Sequence, residues 1–342
     1  MLRKMFVMSL VITTLLIVPY VATKAETNIP VTGSALTPEW KKYNEQAEAQ
    51  KAPKLLYVVT CKKMTKAKGK ADKPKKITDN FKLKDRKLYV YTNWTNVFGP
   101  HTYSLKVYDP RKVLFYEWDC NFRHAGPGWW LWSPLFIKNA PASKLPGKWT
   151  AEIFMDGILA TKKEFSIGDT DAQYKQISLD KEAPTIGFSK FVVRGDKGKR
   201  FDWELPNFLA RMMTVDYPNY RVLLPWTVNK DISVPPDIKI EDFVNNTINS
   251  EIFSDFVSKH NVSLFIMGSA YDGGTFGERK SFHVYIIDAK AKTIVRHCKT
   301  TWISKKGRHD NVTDLIVYAC NKVYRKMMKK AGHDIENILG RK

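Results

Sequence analysis

From Lys54 to Ile167 short β-patterned runs are separated by frequent turn signals, and this alternation constrains the fold more than any other feature of the chain. Leu55–Val59, Leu88–Trp94, Tyr103–Tyr108 and Val113–Trp118 are rich in aromatic and β-branched residues. Asp109-Pro110, Gly126-Pro127-Gly128 and Asp156-Gly157 supply turn chemistry between and after them. Trp149, Ala151, Ile153 and Met155 recur at every second position and therefore share one strand face. Ile158–Ile167 returns along that strand. About seven or eight short strands with such turns predict an antiparallel β-sandwich over residues 54–168.

The back half follows a different pattern. Arg221–Trp226 is a short apolar strand, and the apolar residues from Ile240 through Phe243, Val244, Ile248, Ile252 and Phe253 to Phe256 recur at helical steps. Val262–Gly268 is a near-continuous apolar run, expected to be a central strand, and Phe282–Ile287 and Thr293–Ile303 form a hairpin around Asp288–Lys292. Val312, Leu315, Ile316, Ala319, Val323 and Met327 line one face of a last helix. The order strand–helix–strand–strand–strand–helix predicts an α/β layered domain over 201–335, followed by a basic tail at 336–342. The polar stretch 169–200 reads as a linker. Residues 26–53 form a polar N-terminal segment in which Thr37-Pro38-Glu39 starts a short exposed helix. The expected class is α+β, in two domains.

Residues 1–25 read as a secretory signal: Arg3 and Lys4, an apolar run from Phe6 to Ala22, and a small-residue exit at Thr23-Lys24-Ala25. The alternative is an uncleaved anchor. No Cys follows the run until Cys61, so a lipid-anchor site is absent, and no second apolar stretch is long enough to span a bilayer. Export to a periplasm or cell envelope places Cys61, Cys120, Cys298 and Cys320 in an oxidising compartment. The simplest of three pairings is Cys61–Cys120 with Cys298–Cys320; four buried free thiols is the alternative.

Catalytic signatures are missing. The sequence contains no HExxH, GxSxG, GxxxxGK[ST] or CxxC, and no cofactor or metal is expected. Gly273–Gly277 lies between two strands and reads as a hairpin loop, as does Arg194-Gly195-Asp196. The seven His are scattered, although His283 and His297 fall on neighbouring strands. Asp310 or Asn311 reads as a helix cap. The sharpest surface feature is basic: Lys62, Lys63, Lys66, Lys68, Lys70, Lys73, Lys75 and Lys76 put eight lysines in fifteen residues against Asp72 alone. The whole chain carries +22, of which signal removal takes three. Such a loop attracts polyanions. After export the local candidates are anionic lipid head groups or an anionic polymer, and the location argues against nucleic acid. Trp129, Trp130 and Trp132 are a candidate aromatic surface for sugars, with strand alternation sending Trp129 and Trp130 to opposite sides.

Asp109-Pro110, the Trp-rich stretch, Pro146-Gly147-Lys148-Trp149, Asp156-Gly157 and Phe165-Ser166-Ile167 together resemble immunoglobulin-like domains of exported bacterial proteins, with Ile167 where the pattern has Val. The back-half layout, with Gly268-Ser269 after its central strand, is similar to a group comprising the TolB amino-terminal domain and the lipoprotein activators of penicillin-binding proteins. That second resemblance implies an interaction module without chemistry, with an envelope protein as partner. The expected function is non-catalytic binding or scaffolding in the envelope. The alternative is a periplasmic hydrolase with a dispersed site, which a polar cleft holding a His–Asp pair would favour.

Overall fold

A computed structural model describes residues 37–49, 52–65, 72–125, 128–170, 183–194, 201–225, 250–272, 279–303 and 312–340, with Tyr174, Val228 and Glu241 as isolated positions. The signal segment lies outside the described residues, as do Gly195-Asp196, Gly273–Gly277, and His309 to Asn311. The front half is mostly antiparallel sheet. Strands β1 (Lys54–Thr65), β2 (Lys73–Ile77), β4 (Lys87–Thr95) and β7 (Gly128–Phe136) form a sheet in the order β2-β1-β4-β7. A second sheet runs β3-β9-β8-β5-β6, with β3 Asn80–Phe81, β5 Phe98–Tyr108, β6 Leu114–Ala125, β8 Gly147–Met155 and β9 Ile158–Ile167.

One core joins these two sheets. Leu55, Val58, Leu88, Val90 and Trp94 face Tyr103, Leu105, Trp149, Ala151 and Ile153 across it. Trp94, Tyr103 and Trp149 are fully buried, and Phe115 meets Trp149 edge-on with ring centroids 4.9 Å apart. The alternation read from Trp149, Ala151, Ile153 and Met155 is observed, all four being buried. Asp156 and Gly157, both at positive φ (53° and 81°), make the two-residue turn that pairs Met155 with Ile158.

Helix α1 (Pro38–Ala49) is capped as expected, the Trp40 N–H donating to Thr37 Oγ1 at 3.2 Å. It is not the exposed appendage expected, because its apolar face closes one end of the sandwich core. Tyr43 and Ala47 are buried in that core, and Trp40 Nε1 donates to the Leu55 carbonyl at 2.8 Å.

The back half is a mixed sheet in the order β12-β10-β13-β14-β15: β10 Thr185–Phe188, β12 Arg221–Leu223, β13 Val262–Asp272, β14 Arg279–Asp288 and β15 Thr293–Ile303. β10 lies parallel to β12 and β13, as does β11 (Val192–Arg194) to β13, whereas β14 and β15 run antiparallel. The Gly-rich segment therefore joins two antiparallel strands. β10 and β11 fall inside the stretch read as a linker, and all four residues of β10 are buried. Helices α2 (Phe201–Asp216) and α4 (Val312–Ile338) cover one sheet face, with Leu205, Leu209, Met213, Val323 and Met327 against Ile186, Ile266 and Val284. Helix α3 (Ser250–His260) covers the other through Phe253 and Phe256. Ile252, placed on the buried stripe by its spacing, is instead exposed. No described helix is long and apolar enough to cross a membrane.

The two halves share buried surface. Phe136 and Ala140 pack into the core beneath α2 and α4, and Asn321 Nδ2 donates to the Asn139 carbonyl at 2.7 Å. Arg111, in the β5–β6 turn, donates through Nη2 to the Thr214 carbonyl near the end of α2 at 3.1 Å.

Candidate polyanion-binding face

The lysine-rich segment is more ordered than a loop at both ends. β1 and β2 pair antiparallel, with Lys63 opposite Lys75 and Thr65 opposite Lys73. Thr65 Oγ1 both donates to the Lys73 carbonyl and accepts from the Lys73 N–H, each at 3.0 Å. Lys66, Lys68 and Lys70 lie outside the described residues. Lys63, Lys73, Lys75 and Lys76 are exposed, and no described acid forms an ion pair with any of them.

Lys62 belongs to a different surface. Being adjacent to Lys63 in a strand, it points the other way, pairs with Asp85 at 2.7 Å and lies 5.9 Å over the Phe81 ring. The Lys62 ammonium and the Lys82 N–H hold the Asp85 carboxyl below the ordinary carboxylate range, against the opposing effect of burial, which is the largest single influence. On the same side Lys163 is buried and bonds Asp79 at 2.5 Å. The described lysines thus divide by strand alternation: Lys62 is structural, and Lys63, Lys73 and Lys75 carry their charge on the outward face.

Aromatic residues follow on the same side of the sheet across β1, β4 and β7, but Tyr57, Tyr89 and Tyr91 are buried there and do not extend the exposed lysine surface. Tyr57 stacks on Tyr91 at 5.9 Å, Trp132 meets Tyr89 edge-on at 5.5 Å, and Lys87 Nζ sits 5.1 Å over Tyr89. Trp132 Nε1 donates to Asp72 at 3.2 Å, which ties β7 to the start of β2. Trp130 and Trp132 share this side by alternation. Trp129 packs against the sandwich core, stacks on Phe122 at 5.7 Å and lies 5.7 Å from the Trp130 ring, whereas Trp132 packs against Tyr89.

All four cysteines are free thiols, and the expected bridges are not formed. Cys61 pairs with Tyr89 and shares the outward face of its sheet, whereas Cys120 stands opposite Tyr103, which points into the core. Cys298 stands on β15 opposite Val284 and Cys320 on α4, both within the core beneath α2 and α4. Burial raises all four thiols: Cys61 to about 11, Cys320 well above its ordinary value, and Cys120 and Cys298 upward.

Two histidine arrangements occur among the described residues. His283 Nδ1 and His297 Nε2 are 3.0 Å apart, as the neighbouring strands predict, and His297 stacks on Tyr285 at 4.4 Å. No third ligand joins them, and no group of three or more metal-ligating side chains occurs among the described residues. His101 Nδ1 and Asp156 Oδ2 are 2.8 Å apart beside an open cavity of about 400 Å³. This His–Asp pair was not read from the sequence, because the two residues are brought together only by the β5–β8 pairing. The other ring nitrogen, Nε2, meets the Phe98 carbonyl at 3.1 Å, and Asp156 Oδ1 accepts the Thr102 N–H at 2.8 Å. Both ring nitrogens already have partners within the protein, so neither is directed at a substrate in the cavity. The pair fixes a turn.

No family model and no curated protein matches the chain. Among solved structures, it is similar to lipoprotein GNA1162 from Neisseria meningitidis at 10% identity, covering 40% of this chain and 91% of that one with a TM-score of 0.29. The LpoB C-terminal domain from Escherichia coli is matched at 6% identity over 35% of this chain and 82% of that one, with a TM-score of 0.25. An immunoglobulin-like protein from Pseudomonas aeruginosa is matched at 13% identity over 32% and 90%, with a TM-score of 0.22.

Proposed function

We propose that this is a non-catalytic exported protein of a bacterial envelope, an immunoglobulin-like sandwich followed by an α/β layered interaction domain, which binds an anionic polymer or anionic lipid head groups through the β1–β2 hairpin. The observation that carries the reading is the direct cross-strand pairing of Lys63 with Lys75, flanked by Lys73. Like charges directly opposite one another on a sheet are destabilising, and a polyanion lying across them removes the repulsion. The signal-like residues 1–25 support export, and the occupied nitrogens of His101 weigh against the hydrolase alternative.

The test is co-sedimentation of the native chain with anionic vesicles, neutral vesicles and purified anionic wall polymer. A variant carrying Lys63→Gln, Lys73→Gln and Lys75→Gln is run beside it. Exposed charges are screened over about 8 Å at physiological salt, so native binding should weaken steeply as salt rises and the variant should bind less at every salt. Anionic-vesicle and polymer arms separate the two sources. Equal binding by variant and native chain, or none by either, refutes the reading.

A further inference from the structure

A pocket that shares Trp132 with the hairpin side of the sheet lies where the edge strands of the two sandwich sheets meet helix α2. β7 ends one sheet and β6 the other. Between them and α2 is a cavity of about 280 Å³, lined by Tyr116, Glu117 and Trp118 from β6, Trp132 from β7, and Glu204, Asn207 and Arg211 from α2, with the Glu117 carboxylate paired to Lys106 at 3.7 Å. The α2 residues are spaced three and four apart, which puts them on one helix face.

Arg211 is the unusual member. It is only 6% exposed, and its Nε is buried with no hydrogen-bond partner. Its guanidinium is held from the apolar side, 4.5 Å over the Tyr116 ring and 5.8 Å from that of Phe115. Tyr116 is in turn fixed by its hydroxyl contact with Ser133. A buried cationic donor left unbonded is costly, and here burial lowers the guanidinium pKa, opposed by Tyr116 and Glu204. The rest of the wall narrows what could occupy the space. Two indole rings offer flat apolar faces, and Glu204 and Asn207 add acceptors and donors that a bare anion would not use. Small-molecule sites of this type fix orientation with a few polar groups in an otherwise aromatic wall.

We propose that this pocket binds an acidic monosaccharide unit, with the carboxylate on Arg211, the hydroxyls on Glu204 and Asn207, and the ring against Trp118 or Trp132. It stands independently of the hairpin reading. The full chain is titrated calorimetrically with sodium galacturonate, glucose and sodium acetate. Arg211→Met removes the donor, and Asn207→Leu removes one polar wall group without touching the buried guanidinium, so the second variant serves if the first does not fold. The expected result is galacturonate binding at least about tenfold tighter than glucose or acetate, a loss of about tenfold or more in folded Arg211→Met, the effect of one charge-assisted hydrogen bond, and a loss of about threefold or more in Asn207→Leu, the effect of a neutral one. The proposal is overturned by no binding up to about 10 mM, by acetate binding as tightly as galacturonate, or by folded variants of native affinity. A loss in the Lys63/Lys73/Lys75 variant as large as in the pocket variants would also overturn it.

Discussion

Replacing Arg111 by Met should be among the most damaging single changes in the chain. Asp109 is completely buried and Arg111 nearly so. The Asp109 carboxylate accepts Arg111 Nε at 2.9 Å and Nη2 at 2.6 Å on one oxygen, and the N–H groups of Arg111 and Val113 at 2.8 and 3.2 Å on the other. Methionine keeps the aliphatic stem but leaves that carboxylate buried with two backbone donors, and it strips the Thr214 carbonyl of its partner. Breaking a buried pair from one side costs about 3–5 kcal/mol, a large fraction of the roughly 5–15 kcal/mol that a domain has in total. Removing both charges is a different perturbation, since an apolar replacement of a buried ion pair is often near neutral. Urea unfolding followed by tryptophan fluorescence and by the far-ultraviolet helix signal should therefore show Arg111→Met far less stable than the native chain. The double variant Asp109→Leu/Arg111→Met should be less affected than the sum of its single changes. Because Thr214 belongs to α2, both signals should shift. A single-variant cost under about 1 kcal/mol, or strict additivity in the double-mutant cycle, would refute the reasoning.

At Gly268 a Cβ would come within 2.4 Å of the His283 carbonyl and 2.5 Å of the Phe191 ring, so Gly268→Ala should destabilise by about 1–3 kcal/mol; a cost within about 0.5 kcal/mol in the same assay would contradict that packing. For the His283–His297 pair, burial and then the neighbouring charges lower both values below 6.5, with Lys299 acting on each. The unfolded chain therefore binds protons first as pH falls, and stability should drop as pH falls through and below about 6.5. His297→Gln should flatten that drop, and an unchanged pH profile would show that the pair does not contribute.

Period-two and helical patterns were legible wherever an element buries one clean face. Trp149 to Met155 and the stripe from Ile316 to Met327 are the examples, and each lies in its core as its spacing requires. Elements whose burial is decided by distant partners were harder to read. Thr185–Phe188 is only four residues long, and nothing local distinguishes it from a polar connector until β12 and β13 flank it. Helix α2 carries a weaker signal: Leu205, Phe208, Leu209, Met212 and Met213 repeat at helical steps, but Pro206 interrupts that run. The lysine cluster was visible as charge, but its division into paired and unpaired members follows from strand alternation. The Arg211 pocket had no local signature, since Trp118, Trp132 and Arg211 converge only through the docking of α2 on two sheet edges.

The four unpaired thiols bear on how this polypeptide is made. A bridge closing a loop of tens of residues would add about 3–4 kcal/mol, and the chain reaches its structure without one. Neither core is closed by a covalent bridge, so apolar packing alone joins its elements. Vulnerability shifts from the finished molecule to its biogenesis. Once Cys61, Cys298 and Cys320 are buried they are protected by low thiolate content as well as by coverage. While the chain is still extended, all four are open to oxidants and to one another. The interval between synthesis and collapse is when scavenging of stray disulfides matters, and a slowly folding variant would suffer from oxidants that the mature protein ignores.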